Sequence, residues 1–242
     1  MVEENMTTSP RHVAVIMDGN GRWGENRKRS RTFGHKAGTE VVRKIVQAAL
    51  ANGISFLTLY AFSSENWNRR GYEVRAIMRL FHSYTEKEAQ ALAKAGVAVR
   101  FIGDRSRLAP ALQKSMENME KVTALGDKML LQICISYGGR DEIVRAVNKL
   151  RRADFGADDD FSELDITNAL DTHGTPDVDL VIRTGGERRL SNFLIWQTIY
   201  AELCFRDELW PDYTEEMFAA DLAWYNSRQR RFGQEKSKMA AE

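Results

Sequence analysis

The chain has 242 residues, 43% of them apolar and 29% charged, which indicates one large globular domain rather than two. Its 35 basic and 34 acidic residues leave a net charge of +1, so a generally basic surface is excluded and any anion site must come from local clustering. No apolar stretch is long enough to cross a bilayer, and residues 1–10 are too polar for a signal peptide, so we expect a cytoplasmic protein. Cys134 and Cys204 lack metal-like spacing and are expected to be reduced thiols.

Short apolar runs alternate with longer segments of helical period, which predicts a single α/β domain with a central, mainly parallel six-stranded sheet flanked by helices. The predicted strands cover residues 12–17, 55–62, 98–103, 129–136, 178–183 and 200–205. Two predicted helices have apolar faces over 41–49 and 74–84, the second ending near Gly96, and four others cover 107–123, 140–152, 163–171 and 214–231. The domain is expected to span residues 11–233, between flexible ends at 1–10 and 234–242.

Four of the predicted strands end in polar segments, three of them rich in glycine. These segments are MDGNGRW (17–23), FSSENWNR (62–69), SYGGRDE (136–142) and RTGGERRLSN (183–192). The carboxyl ends of parallel strands meet at one edge of a sheet, where ligands of α/β proteins bind. Glycine-rich turns and helix starts present backbone N–H groups to anions, and arginine forms bidentate contacts with phosphate. A phosphate site is therefore predicted, but no strand is followed by a P-loop or a dinucleotide fingerprint, which argues against a nucleotide enzyme.

Basic residues cluster immediately after the first predicted strand. Between Arg11 and Lys36 there are seven Lys or Arg residues but only two acidic ones, Asp18 and Glu25. An aspartate beside so much positive charge indicates a site for an anion that also carries a metal ion, and Mg²⁺ favours carboxylate and phosphate oxygens. Other interpretations stay open: Asp18 as a turn residue or helix cap, and residues 27–29 as a solvated face or a nucleic-acid patch.

Five motifs in register, DGNGRW, FGHKAG, FSSENWNR, IRTGGE and WPD, resemble those of the cis-prenyltransferase family. The resemblance runs from about His12 to Gly233, nearly the whole chain. It implies a homodimer that adds isopentenyl diphosphate units to an allylic diphosphate in a Mg²⁺-dependent reaction, with new cis double bonds. The product implied is a long-chain polyprenyl diphosphate, the carrier lipid of bacterial wall synthesis, and its release implies a peripheral contact with the membrane.

The family motifs carry roles over to particular positions of this sequence. The resemblance assigns the allylic diphosphate to Gly19, Asn20, Gly21, Arg22, Trp23, Arg31 and His35, and the isopentenyl diphosphate to Arg183, Arg189 and Ser191, with Arg69 nearby. Ser63 and Asn66 match positions that orient the isopentenyl group and assist its loss of a proton. Glu65 and Trp67 belong to the same motif and are assigned to substrate binding. Asp18 and Glu202 match metal-associated carboxylates, and Arg231 matches an element that one subunit lends to the other. His35 as a helix N-terminal residue and Trp67 as a core residue remain alternatives.

A growing prenyl tail needs an apolar tunnel, and its predicted walls come from two strands and the long second helix. They are Leu59, Ala61, Ile77, Phe81, Ile133 and Ile135, all of which would also suit an ordinary core. The sequence departs from the family at Arg70-Gly71, where Pro usually follows Arg, and at Arg188, where some members have His. Residues 159–163, DDFSE, resemble the Asp-rich motif of all-helical trans-prenyltransferases, but we interpret them as an exposed loop with Ser162 starting a helix.

Three rival functions remain at this level. A short- or medium-chain synthase would share every motif and differ only in the tunnel. A non-catalytic subunit of the same fold would support an active partner, and the intact motif residues argue against it. A nucleic-acid-binding module would use the basic runs, but these lack interleaved aromatic residues, so we expect no nucleic-acid partner.

Overall fold

A computed structural model of the protein describes residues 9–153 and 160–228. The strands are β1 (His12–Ile16), β2 (Phe56–Ser63), β3 (Val97–Ile102), β4 (Met129–Tyr137), β5 (Leu180–Arg183) and β6 (Glu202–Phe205). They form one six-stranded sheet in the order β3-β4-β2-β1-β5-β6, and every pair is parallel. The helices are α1 (Asn20–Asn26), α2 (Arg31–Ala51), α3 (Gly71–Ala95), α4 (Pro110–Thr123), α5 (Gly139–Leu150), α6 (Glu163–Ala169) and α7 (Glu215–Asn226).

The predicted α/β fold is confirmed, and the sheet is wholly rather than mainly parallel. All six predicted strands are present, with bounds shifted by one or two residues. Ser162 caps α6, with its hydroxyl accepting from the Asp165 backbone, as expected. The sequence analysis expected no helix over Asn20–Asn26, but this segment forms α1. Of the predicted flexible ends, residues 1–8 and 234–242 lie outside the described residues, and so do Asp158 and Asp159 of the predicted acidic loop.

Both faces of the sheet are covered, which is why its central strands are continuous apolar runs. Val13 and Val15 of β1 face the main core. Helices α2, α3, α4 and α7 build that core with side chains such as Ile45, Ile77, Met116 and Phe218. Ala14 and Ile16 face the opposite side, where the segment following β5 contributes Phe193 and Leu194. None of the described helices combines the length and hydropathy that a membrane-spanning helix requires.

Two glycines of the FGHKAG motif let α2 cross the start of α1 at very short range. A Cβ atom on Gly34 would lie 1.8 Å from the backbone oxygen of Asn20, and one on Gly38 would lie 2.0 Å from Asn20 Oδ1. A side chain at position 34 would have to displace the backbone of α1, and one at position 38 would have to displace the Asn20 side chain. The motif therefore fixes Asn20, which follows the carboxyl end of β1, relative to the long helix α2.

This packing predicts a large difference between two Gly→Ala substitutions. Gly34→Ala should lower the midpoint of thermal unfolding by roughly 3–10 °C, because the added methyl group meets backbone that cannot yield easily. Gly71→Ala is the control, since its Cβ would meet only the flexible Arg75 side chain, at 3.2 Å, and its midpoint should stay within about 2 °C. Calorimetry of both variants checks the prediction, and equal shifts would contradict it.

Candidate active site

A cavity of about 730 Å³ opens at the carboxyl edge of the sheet, between β1, β2, β5, α2 and α3. Its volume falls in the range of small-molecule sites, roughly 300–1,000 Å³. The predicted site residues that line it are Asp18, Asn20, His35, Ser63, Glu65, Asn66, Arg69, Arg183, Arg189 and Ser191. Three of the four polar segments, those after β1, β2 and β5, thus meet at one site, whereas no residue of SYGGRDE (136–142) lines the cavity.

Asp18 lies just beyond β1, between two guanidinium groups. Its Oδ1 accepts a hydrogen bond from the Gly19 backbone N–H at 2.6 Å and lies 3.4 Å from Arg22 Nη2. Its Oδ2 accepts from Arg183 Nη2 at 2.9 Å. The side chain is 33% exposed, so the carboxylate is partly compensated by protein cations while still facing the cavity.

Arg183 organises the turn after β5. It is 4% exposed, and besides Asp18 it donates to Ser191 Oγ at 2.8 Å and to the Arg189 backbone oxygen. Its position follows from sheet register, because Arg183 pairs with Ile16 across β1 and β5. The sequence assigned Arg183 to one diphosphate only, whereas the structure makes it a direct partner of Asp18 as well.

Glu73, in the first turn of α3, is a charged site residue that the sequence analysis missed. It is 4% exposed and contacts Arg69 Nη1 at 3.1 Å and Arg31 Nε at 3.4 Å. Burial raises the pKa of Glu73, but Arg31 and Arg69 together lower it below its usual value, so the carboxylate is ionised. An acidic residue in a first helical turn is normally explained by the helix dipole, so the sequence offered no signal of this role.

His35 lies within reach of the same carboxylate but is neutral. Burial, and then the charge of Arg69, lower the pKa of His35 to about 4, and Glu73 offsets only part of this. Its Nε2 is 3.5 Å from Glu73 Oε1, too long for a good hydrogen bond.

Three buried polar atoms around the cavity have no hydrogen-bond partner among the described residues. They are Asn20 Oδ1, His35 Nε2 and Arg183 Nε, and all three residues line the cavity. Because buried polar groups in folded proteins are nearly always paired, these atoms suit a site that water or a polar ligand completes.

The short helix Ser64–Asn68 presents the FSSEN segment to the cavity. Ser63 N donates to Asn66 Oδ1 at 3.2 Å, so these two predicted residues hold each other in place while lining the cavity. Trp67 does not line it. Its Nε1 donates to Ser136 Oγ at 3.0 Å and its ring packs edge-on against Phe62, which agrees with the alternative of a packed core residue.

The remaining allylic-site candidates surround the cavity rather than line it. A Cβ on Gly21 would lie 2.4 Å from the Arg31 guanidinium carbon, so the glycine lets Arg31 approach α1 closely. Trp23 donates from Nε1 to Asp212 Oδ1 at 2.6 Å and anchors α1 to the WPD turn. Arg27 stacks on the Trp23 ring and pairs with the same carboxylate, which favours the interpretation of residues 27–29 as a solvated face.

Glu202 is not brought to Asp18 within this chain. It begins β6 opposite Leu180, whereas Arg183 pairs with Phe205 at the other end of the strand. Glu202 Oε2 instead lies 3.3 Å from Arg228 Nε. No group of three metal-binding side chains occurs within residues 9–153 and 160–228. Arg231, the predicted intersubunit residue, lies outside the described residues.

The cavity continues from the polar edge into an apolar part between β2, β4 and α3. Five of the six predicted tunnel residues line it: Leu59, Ala61, Ile77, Phe81 and Ile133. Ile135 does not line the cavity, because its side chain is fully buried among the residues of the main core. Val42, Leu80 and Tyr84 add apolar surface that the sequence analysis did not name.

Comparisons with known proteins point to one family. A family model described as "Putative undecaprenyl diphosphate synthase" matches residues 16–233. The chain is 48% identical over 228 residues to a ditrans,polycis-undecaprenyl-diphosphate synthase ((2E,6E)-farnesyl-diphosphate specific) of Yersinia pseudotuberculosis, covering 93% of this chain and 90% of the relative. A protein of the same name from Pseudomonas aeruginosa is 46% identical over 236 residues, covering 96% and 94%.

Solved structures with this fold include two with related names. A lavandulyl diphosphate synthase from Lavandula x intermedia, in complex with dimethylallyl diphosphate, superposes with a TM-score of 0.90 at 34% identity, covering 93% of this chain and 99% of that one. A probable undecaprenyl diphosphate synthase from Campylobacter jejuni gives a TM-score of 0.80 at 33% identity, covering 94% and 100%.

The neutral His35 predicts a specific loss of stability in acid. The unfolded chain takes up a proton near pH 6.5 whereas folded His35 resists it to about 4, so His35 costs stability as the pH falls between these values. From pH 7 to pH 5 the loss from this group should be about 2 kcal/mol. Urea unfolding of His35→Gln should show a smaller acid loss by that amount. His82→Gln, a substitution on the 40% exposed side chain, is the control, and identical pH dependence of native protein and His35→Gln would contradict the prediction.

Proposed function

Because the chain belongs to the undecaprenyl diphosphate synthase family of prenyltransferases, we propose that it elongates farnesyl diphosphate with isopentenyl diphosphate units to undecaprenyl diphosphate. The observation that carries the proposal is the cavity itself, in which cations and unpartnered polar atoms meet an apolar wall. The cations and polar atoms suit a diphosphate, and the apolar wall suits a prenyl tail. We also propose that the product serves as the carrier lipid of bacterial wall synthesis.

The reaction requires charge to be stabilised on the departing diphosphate. The allylic carbon–oxygen bond breaks, a carbon–carbon bond to the isopentenyl group forms, and that group loses a proton, which the released diphosphate can accept. Preorganised cations stabilise such charge best when water is excluded. We assign the allylic diphosphate to Asn20, Arg31 and His35. We assign the isopentenyl diphosphate to Arg183, Arg189 and Ser191, with Arg69 nearby and with Ser63 and Asn66 orienting its prenyl group.

Magnesium fits this site through a single protein carboxylate. Mg²⁺ is often held by one or two carboxylates together with substrate phosphate oxygens, and Asp18 faces the cavity with lone pairs beyond those used by Gly19 and Arg183. When bound, the ion would neutralise charge on the leaving diphosphate. The association of Glu202 with the metal remains a prediction. Within this chain its carboxylate contacts Arg228.

The proposal includes a homodimer and a peripheral membrane contact. Strand β6 lies at the edge of the sheet, and Ile199 and Tyr200 beside it are each 69% exposed, with Leu203 at 38%. Such a surface suits a second copy of the chain. Basic residues 27–29 are exposed and suit the anionic headgroups of a membrane surface.

The assay that tests the function uses purified protein, Mg²⁺, labelled isopentenyl diphosphate and a panel of allylic starters. We expect incorporation with farnesyl diphosphate, products of undecaprenyl length and loss of activity when EDTA removes the metal. A protein that is inactive alone would favour the non-catalytic subunit, and products of only three isoprene units would overturn the long-chain assignment.

Asp18 should be essential for turnover. Asp18→Ala should reduce kcat by a factor on the order of 10²–10³ while allylic substrate still binds, because the group that places the metal is lost. Asp18→Asn is the companion variant, since its amide oxygen keeps an acceptor for the buried Arg183 and so preserves the fold. Near-normal turnover in either folded variant would remove Asp18 from the mechanism.

Ala61 should limit how far the tail can grow. It lies between Leu59 and Ser63, lining the cavity where the polar edge gives way to apolar surface. Ala61→Leu should shorten the product distribution and largely preserve the first condensation, because the larger side chain fills space that the tail needs. Ala91→Leu, on an exposed position of α3, is the matched control. Resolved product lengths that match those of the native protein would place the tail elsewhere.

A further inference from the structure

Asn192, which lines the cavity, joins the segments that follow three different strands. Its side-chain Nδ2 donates to Glu65 Oε1 at 2.8 Å, in the segment after β2. Its Oδ1 accepts from the Arg140 backbone N–H at 2.9 Å, and its backbone oxygen accepts from Gly139 N at 2.7 Å. The segments after β2, β4 and β5 are therefore tied together through one residue.

The backbone around Asn192 is held in a conformation that few residues adopt. Ser191 has φ 51° and Asn192 has φ 64°, and asparagine is among the non-glycine residues that tolerate this left-handed region best. The neighbouring glycine is equally constrained, because a Cβ on Gly138 would lie 2.5 Å from Ser64 Oγ and 2.7 Å from Asn192 Nδ2. The residue types at positions 138 and 192 therefore allow the three segments to approach each other closely.

The contact with Glu65 requires an amide rather than a carboxylate at position 192. Partial burial raises the pKa of Glu65, but hydrogen bonds from Asn192, its own backbone, Ser63 and Ser64 lower it overall, so Glu65 is an ionised acceptor. The other charged or titratable side chains lining the cavity include Asp18, His35, Arg69, Arg183 and Arg189. Only a donor at position 192 satisfies an ionised Glu65 at this distance.

We propose that Asn192 is a positioning residue that aligns Ser191 of the isopentenyl diphosphate site with the Ser63–Asn66 segment. The inference rests on the proposed function for the identity of that substrate. Ser191 is fixed on one side by Arg183 and on the other by its peptide bond to Asn192, so a shift of residue 192 moves the isopentenyl site. It leaves the allylic site, which is built by α1 and α2, in place.

Asn192→Gly tests the side chain without disturbing the backbone, because glycine adopts positive φ without strain. Loss of its two side-chain hydrogen bonds should weaken isopentenyl diphosphate binding, measured by calorimetry, and lower kcat/KM for that substrate roughly 10- to 100-fold. The KM for farnesyl diphosphate should change less than about threefold. Thermal unfolding of each variant confirms that it is folded.

Asn192→Asp places a second carboxylate against Glu65 and should be at least as damaging. Glu65→Gln then supplies a donor to the new carboxylate, so in the Asn192→Asp background this substitution should raise kcat/KM, whereas in the native background it should lower it. A general loss of stability cannot produce this reversal of sign. The double variant carries more changes than either single variant, so a general loss would lower its kcat/KM further.

Three results would overturn the inference. They are native isopentenyl diphosphate binding in Asn192→Gly, equal losses for both substrates in that variant, and the same effect of Glu65→Gln in both backgrounds. A native protein that binds isopentenyl diphosphate without turning it over would count against the proposed function alone, because the binding measurement still decides the role of Asn192. A native protein that binds none would overturn both.

Discussion

The polar edge of the cavity is organised around the ion pair between Asp18 and Arg183, whose Oδ2 and Nη2 atoms lie 2.9 Å apart. Parallel pairing of β1 with β5 brings Ile16 opposite Arg183, so the residues just beyond each strand must share one narrow space. Because Arg183 is only 4% exposed, its charge needs a partner, and removing that partner would leave a costly buried cation. The same pairing holds Asp18 at the mouth of the cavity, where a metal ion and a diphosphate are proposed to bind.

Glu73 is a second buried charge, and it positions two arginines of the site. Glu73 holds Arg31 from α2 and Arg69 from the segment after β2, so cations from separate elements are kept in place before any ligand arrives. Such preorganisation is what stabilises developing charge without further rearrangement. Behind this polar edge the cavity has apolar walls, so one opening can accept the two chemically different halves of a prenyl diphosphate.

The strands and the carboxyl edge could be predicted from the sequence because buried parallel strands are continuous apolar runs, and the segments after them are conspicuously polar. Helix α1 could not, since Asn20–Asn26 contains two glycines and comes after a left-handed Gly19 with no capping side chain. Glu73 was missed because helix starts commonly carry acidic residues. Trp67 and Glu202 keep their motif positions, but their contacts depend on packing and strand register that no local pattern encodes.

If one cavity binds two diphosphates on separate groups of cations, steady-state kinetics of two variants should separate the two groups. Arg189 is exposed and pairs with Glu187, so Arg189→Ala leaves Asp18 and Arg183 intact. It should raise the KM for isopentenyl diphosphate roughly 10- to 100-fold with little change for farnesyl diphosphate, and Arg31→Ala should do the reverse. If each substitution raises both KM values by the same factor, the two substrates do not have separate anion sites.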